Sequence, residues 1–261
     1  MYLLATHLRA TSLFVLLLLA TPAFSQSTDS SKHLVFFKGN VSITNNGFSL
    51  IPSFSLGKPA LVSTFSVSGP RRFSFEPEFR YSLEGKPWSF IFIWRYKLIK
   101  REKFQLALGT HLPTLAFVSG PVIKNGVEQE AIQARRFFPV TELIPQYVFS
   151  KNISLGMYYL YGRGVEKELT RHTHFVSLRV GFNHIPLSKR YFLRFHPQVY
   201  YLKLDDHDGF YTTGILTLAR QNFPLSVSTL VNKKLQSDIA GKDFDWNVSL
   251  VYSFGRNYAG Q

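Results

Sequence analysis

Apolar and polar residues alternate with a period of two along most of this chain, and two consecutive segments show it most clearly. Phe73, Phe75, Pro77, Phe79, Tyr81 and Leu83 alternate with Arg72, Ser74, Glu76, Glu78, Arg80 and Ser82. In the next segment Trp88, Phe90, Phe92, Trp94, Tyr96 and Leu98 oppose Ser89, Ile91, Ile93, Arg95, Lys97 and Ile99. Successive side chains of a strand point to opposite faces, so each segment reads as a strand with one aromatic and one largely polar face. Near the end, Trp246, Val248, Leu250, Tyr252 and Phe254 share one face, with Asp245, Asn247, Ser249, Val251 and Ser253 on the other. The same reading predicts twelve strands, at residues 48–56, 60–68, 72–83, 88–99, 103–117, 132–149, 152–161, 172–183, 191–204, 210–220, 225–234 and 244–254. Most exceed the ~9–11 residues that a tilted membrane strand needs.

The direction of the faces follows from the cost of charge in hydrocarbon, ~2–4 kcal/mol for Arg or Lys at the bilayer midplane. The charged face must therefore line the lumen. That register places Glu76, Glu78, Arg80, Arg95, Lys97, Arg136, Glu142, Arg179, Arg194 and His196 inside, among Gln146, Gln198 and Tyr200. It turns Phe73, Phe75, Phe79, Tyr81, Trp88, Phe90, Phe92, Trp94, Tyr96, Trp246, Tyr252 and Phe254 toward lipid, as an aromatic-girdled barrel requires. A soluble barrel would invert the assignment, and the strand lengths argue against it. The expected fold is all-β, a transmembrane antiparallel up-and-down barrel of about twelve strands.

The ends of the chain read differently. Arg9, the apolar run from Leu13 to Ala20, and small residues at Ala23 and Ser25 make residues 1–25 a signal peptide cleaved before Gln26. Residues 26–46 read as an N-terminal lead-in ending at a turn over Thr44-Asn-Asn-Gly47, 47–254 as the barrel, and 255–261 as a C-terminal overhang. Connections at 119–131, 163–171, 205–209 and 236–243 are long or acidic, while those at 100–103, 150–152, 185–190 and 221–224 are short. Short periplasmic turns and longer external loops put both termini on the periplasmic side.

Charge and composition narrow the partners. The chain carries a formal charge of +14 and no cysteine, so cysteine-based metal sites and disulfides are excluded. The basic residues are interleaved with aromatics strand by strand rather than gathered in a stripe, and an exported barrel does not meet nucleic acid. Outer-membrane lipids are the expected surroundings.

The last strand resembles the terminal strand of bacterial outer-membrane barrels, with Phe254 as its closing aromatic and Tyr252, Leu250 and Val248 on the same face. Leu83-Glu-Gly-Lys-Pro-Trp-Ser-Phe90, Tyr158-Tyr-Leu-Tyr-Gly-Arg-Gly164 and Val199-Tyr-Tyr-Leu-Lys203 resemble segments of uncharacterised outer-membrane β-barrel proteins of Bacteroidetes-type bacteria. The resemblance implies location in the bacterial outer membrane, the barrel fold and dealings with the barrel-insertion machinery. It implies no activity.

Candidate chemistry is sparse. His172 and His174 share a strand face but lack further ligands in sequence, and Asp205-Asp-His-Asp-Gly209 lacks the spacing and downstream Glu of a calcium loop. Ser177 faces away from His174, and no G-x-S-x-G elbow is present. His196 is left to meet Ser154 or Ser249 only through the fold. Neither metal, cofactor nor catalytic residue is expected. Facing Arg and Glu residues in the lumen either pair into a plug or leave a basic surplus that favours anions. The expected function is thus a structural barrel or narrow channel, passing small anionic solutes. The alternative is an outer-membrane lipid-modifying enzyme of lipase or deacylase type.

Overall fold

The structure, a computed structural model, describes residues 34–124 and 127–259. Twelve strands run through them: β1 Leu34–Thr44, β2 Ala60–Ser68, β3 Phe73–Ser82, β4 Pro87–Lys100, β5 Phe104–Lys124, β6 Val127–Val148, β7 Ile153–Gly164, β8 Thr173–Pro186, β9 Tyr191–Leu204, β10 His207–Arg220, β11 Leu225–Ser237 and β12 Phe244–Ala259. Each pairs antiparallel with its neighbours in sequence, and β1 closes on β12 from Leu34↔Ala259 to Thr44↔Ser249. Closure leaves no strand edge and satisfies the backbone internally, which is what hydrocarbon demands. The predicted signal peptide, residues 1–25, lies outside the described residues.

Burial confirms which face is which. Arg80, His111, Glu142, Ser177, Asn232 and Asn247 are buried in the lumen, while Phe73, Trp246 and Tyr252 are each 48% exposed on the outside. A polar inside and an apolar outside is the inverse of a soluble barrel.

The identity of the first strand differs from expectation. Residues 34–44, expected as lead-in, form β1, whereas residues 48–56 form no barrel strand. Two changes cancel, so the count remains twelve. The backbone of 47–58 satisfies itself. Ser49 N donates to Phe54 O (2.8 Å), Phe54 N to Ile51 O (3.0 Å) and Leu56 N to Gly47 O (2.8 Å), leaving one bridge, Phe48↔Ser55. Pro52 at the apex has no N–H for a sheet ladder.

Other boundaries move as well. The expected loop at 119–131 is largely ladder, with β5 and β6 paired out to Lys124↔Val127. The connection at 205–209 tightens to Asp205–Asp206, with Asp205 at φ 52°. Residues 255–259 of the expected overhang extend β12 and pair with β1.

The seam between β12 and β1 is covered from outside by Phe254, whose ring lies 5.7 Å from that of Phe37 and 6.2 Å from that of Phe65. The same ring occupies the space above Gly39, where a side chain would begin 2.9 Å from Phe254 Cζ. Aromatic pairs of this kind contribute ~0.5–1.5 kcal/mol each. Phe254→Ala is therefore expected to weaken the closed barrel by ~1–3 kcal/mol, seen as a lower temperature for loss of the compact, heat-modifiable gel band. An unchanged conversion temperature would show that the seam does not depend on this ring.

Candidate functional site

Strand polarity places the start of β1 and the end of β12 at one end of the barrel and the connections 45–59, 165–172 and 238–243 at the other. The lumen is then built in three tiers from that end inward.

The uppermost tier is the loop 45–59, folded into the barrel mouth. Asp245 on β12 anchors it, accepting hydrogen bonds from Asn46 Nδ2 (2.9 Å) and Ser55 Oγ (2.5 Å). Asn46 Oδ1 accepts from Gly57 N at 2.9 Å, and Asn247 Nδ2 donates to Asn46 O at 3.1 Å. The Ser53 and Tyr200 hydroxyls lie 2.8 Å apart. Ile51, at the tip, joins a buried cluster with Val140, Leu160, Phe175, Tyr200, Leu202 and Tyr211. Polar anchors and an apolar tip hold the loop inside.

Below it, Glu142 on β6 is the hub of an ionic network. Its carboxylate accepts hydrogen bonds from Arg95 and from Tyr158 OH (2.6 Å), and it pairs with His111 Nε2 at 3.1 Å. Arg95 also pairs with Glu76, whose carboxylate accepts from Ser74 Oγ at 2.8 Å. Arg80 donates to Glu78 at 2.6 Å. Gly109, opposite Glu142 in the ladder, is where the carboxylate fits, since a side chain there would collide with it. These carboxylates and guanidiniums neutralise one another across β3, β4 and β6, as desolvated charges must.

The innermost tier is basic and only partly paired. A cavity of 460 Å³ is bounded by Arg80, Arg95, Gln146, Tyr158, Arg179 and Gln198, among others. Among the described residues Arg179 has neither an ion-pair nor a hydrogen-bond partner, although Arg80 and Arg95 are paired. Nearer the end where β1 starts, Arg194 lies over the Phe192 ring at 5.3 Å, and Lys97 continues the inward register. His196 Nε2 meets Asn183 Oδ1 at 3.1 Å.

Most lumen residues expected from the alternation are therefore where parity puts them, but Arg136 is not. A bulge in β6 between Phe137 and Val140 reverses the parity. Phe137 faces the lumen, and Arg136 turns to the loop after β7, where its backbone N and Nε each donate to Glu166 at 2.9 Å. The Arg136 amide and guanidinium hold the Glu166 carboxyl below the usual carboxylate range. Trp88 is the matching exception among the aromatics. An irregularity where β3 meets β4, between Arg80 and Tyr81, leaves it outside the regular ladder. Its ring comes to 3.1 Å from where a side chain on Gly47 would begin, and it lines a lumenal cavity. The loop 45–59 is the lumenal element that the alternation missed; its signals in the sequence are the Thr44-Asn-Asn-Gly47 turn, Pro52 and the Gly57-Lys-Pro59 corner.

Among the described residues, the His172 and His174 rings engage other partners: each Nδ1 meets a tyrosine hydroxyl at 3.0 Å, Tyr161 and Tyr159 respectively. Among the described residues no group of three His, Cys, Asp or Glu is placed to hold a metal. Ser154 Oγ and the His196 ring both border Gly181, but no hydrogen bond joins them among the described residues.

A closed twelve-stranded barrel, apolar without and charged within, has the fold of an outer-membrane β-barrel. Its fold is similar to that of the KdgM porin, solved in complex with disordered oligogalacturonate. The TM-score is 0.51 at 10% identity, covering 84% of this chain and 99% of that one. The NanC porin gives a TM-score of 0.48 at 11% identity over 85% of this chain and 100% of that one. LpxR from Salmonella typhimurium gives 0.44 at 11% identity, over 83% and 99%. No family model and no curated protein matches the chain.

Proposed function

We propose that the protein is a narrow, anion-preferring channel rather than an enzyme or an inert plug. The observation that carries the reading is Arg179. It faces a lumenal cavity without a carboxylate partner, while the neighbouring Arg80 and Arg95 are neutralised by Glu78, Glu76 and Glu142. With Lys97 and Arg194 on the same inner side, the free charge along the path is positive, and unbalanced lumenal charge concentrates ions of opposite sign. Gln146 and Gln198 border the same cavity and supply neutral donors for a carboxylate. Oligogalacturonate, in the KdgM complex, is that protein's ligand; here the preference rests on the chain's own guanidinium.

Removing one unit charge about 4 Å from a permeating ion changes its energy by about 1 kcal/mol in a water-filled path. Arg179→Gln is therefore expected to lower the anion-to-cation permeability ratio about thirtyfold, because the anion loses about 1 kcal/mol of attraction and the cation about 1 kcal/mol of repulsion, read from reversal potentials of single channels in a potassium chloride gradient. A wild type that prefers cations, or a ratio indifferent to the substitution, would overturn the proposal.

A further inference from the structure

The lumen holds a second chamber of opposite chemistry. Next to the loop, a cavity of 320 Å³ is bounded by Leu50, Ile51 and Phe54 from the loop and by Trp88, Val140 and Leu160 from the wall. Val140 and Leu160 are 3% and 5% exposed. Its polar lining residues are the minority: Ser49, Ser89, Thr173, His111, whose Nε2 is taken by Glu142, and Thr114, whose buried hydroxyl has no partner among the described residues. Ser49 and Leu50 line both this chamber and the basic one, so the two adjoin at the loop.

Water gains little in such a chamber, because it needs two to four polar partners, and an apolar cavity of about 150 Å³ already accommodates benzene. The larger chamber has room for a phenyl ring or a short acyl chain. We propose that the solute is amphiphilic, an organic anion whose carboxylate is held by Arg179 with Gln146 and Gln198. Its aryl or short acyl group occupies the chamber bounded by Ile51, Trp88, Val140 and Leu160. The assignment rests on the anion-channel reading and narrows it. A sugar acid, hydroxylated along its length, leaves polar groups unpaired against this wall, whereas an apolar tail loses nothing there.

Trp88 provides a local reporter, because it lines the chamber while Trp94 and Trp246, the other tryptophans, follow the outward register. The experiment uses folded protein in detergent carrying Trp94→Phe and Trp246→Phe, titrated with para-bromophenylacetate as a heavy-atom quencher. Saturable quenching is expected. It should be about tenfold weaker with the neutral para-bromophenylacetamide and about tenfold weaker in an added Arg179→Gln, the loss of one charge-assisted contact. Galacturonate at equal concentration should not displace the probe. Gel mobility of each variant before and after heating establishes that it is folded. Quenching that rises linearly and equally for acid and amide is micelle partitioning and overturns the proposal, as does displacement by galacturonate. If that happens while reversal potentials still depend on Arg179, only the amphiphilic assignment falls. If the reversal potentials are also indifferent to Arg179, the anion-channel reading falls with it.

Discussion

Replacing Glu142 with leucine is expected to destabilise the barrel by ~3–5 kcal/mol, the usual consequence of removing one member of a buried ion pair. The side chain is fully buried, and three groups converge on it: Arg95, His111 and Tyr158. Leucine fills a similar volume but leaves His111 and Tyr158 without their acceptor and Arg95 with Glu76 alone. Glu142→Gln should be milder, ~1–3 kcal/mol, because the amide oxygen still accepts while the charge is lost. The check is the temperature at which each folded band converts to unfolded mobility, with the order wild type, Gln, Leu. A leucine variant as heat-resistant as wild type would show that the network is not what braces the wall.

Excising residues 48–55 is expected to raise single-channel conductance severalfold without unfolding the barrel. The loop tip occupies the mouth, so its removal widens the path there, and conductance follows cross-section. The barrel should tolerate the loss because the flanks already meet: Leu56 N donates to Gly47 O at 2.8 Å, so the gap is short. A milder version tests the anchor. Asp245→Ala removes the acceptor for both Asn46 and Ser55, and should give a wild-type conductance interrupted by larger openings as the loop leaves its seat. Equal, steady conductance in wild type, the excision and Asp245→Ala would mean that the loop does not restrict the path.

The position of this loop explains what was hidden in the sequence. Residues 48–56 carry apolar residues at a spacing compatible with a strand, and they are indeed half-buried, but against the inside of a barrel made by other segments. The true first strand was obscured at Gly39, where an outward apolar residue is expected by parity. The missing hydrocarbon comes from the neighbouring strand, in the ring of Phe254. A gap in one strand's pattern can be filled from the next, and only the closed sheet reveals it.

Arg136 and Trp88 mark a second limit. Alternation assigns a face by counting, so one irregular residue inverts every assignment on its far side until another restores it. The bulge between Phe137 and Val140 does this on β6, and the irregularity beside Arg80 displaces Trp88 at the start of β4. Neither position carries a glycine.

The sequence by itself determined the class of fold and the sense of its faces. Lipid outside and water inside impose a period of two on every strand, and the cost of charge in hydrocarbon orients that period without reference to any contact. Tertiary structure alone decided the ion pairing. Parity puts Arg80, Arg95 and Arg179 on one face, but which of them is neutralised depends on stagger between strands far apart in the chain. Glu142 reaches Arg95 across 47 residues, and no acid reaches Arg179 among the described residues. Electrostatic pairing acts over a few ångströms in space, so the charge left free in the lumen is a property of the closed barrel.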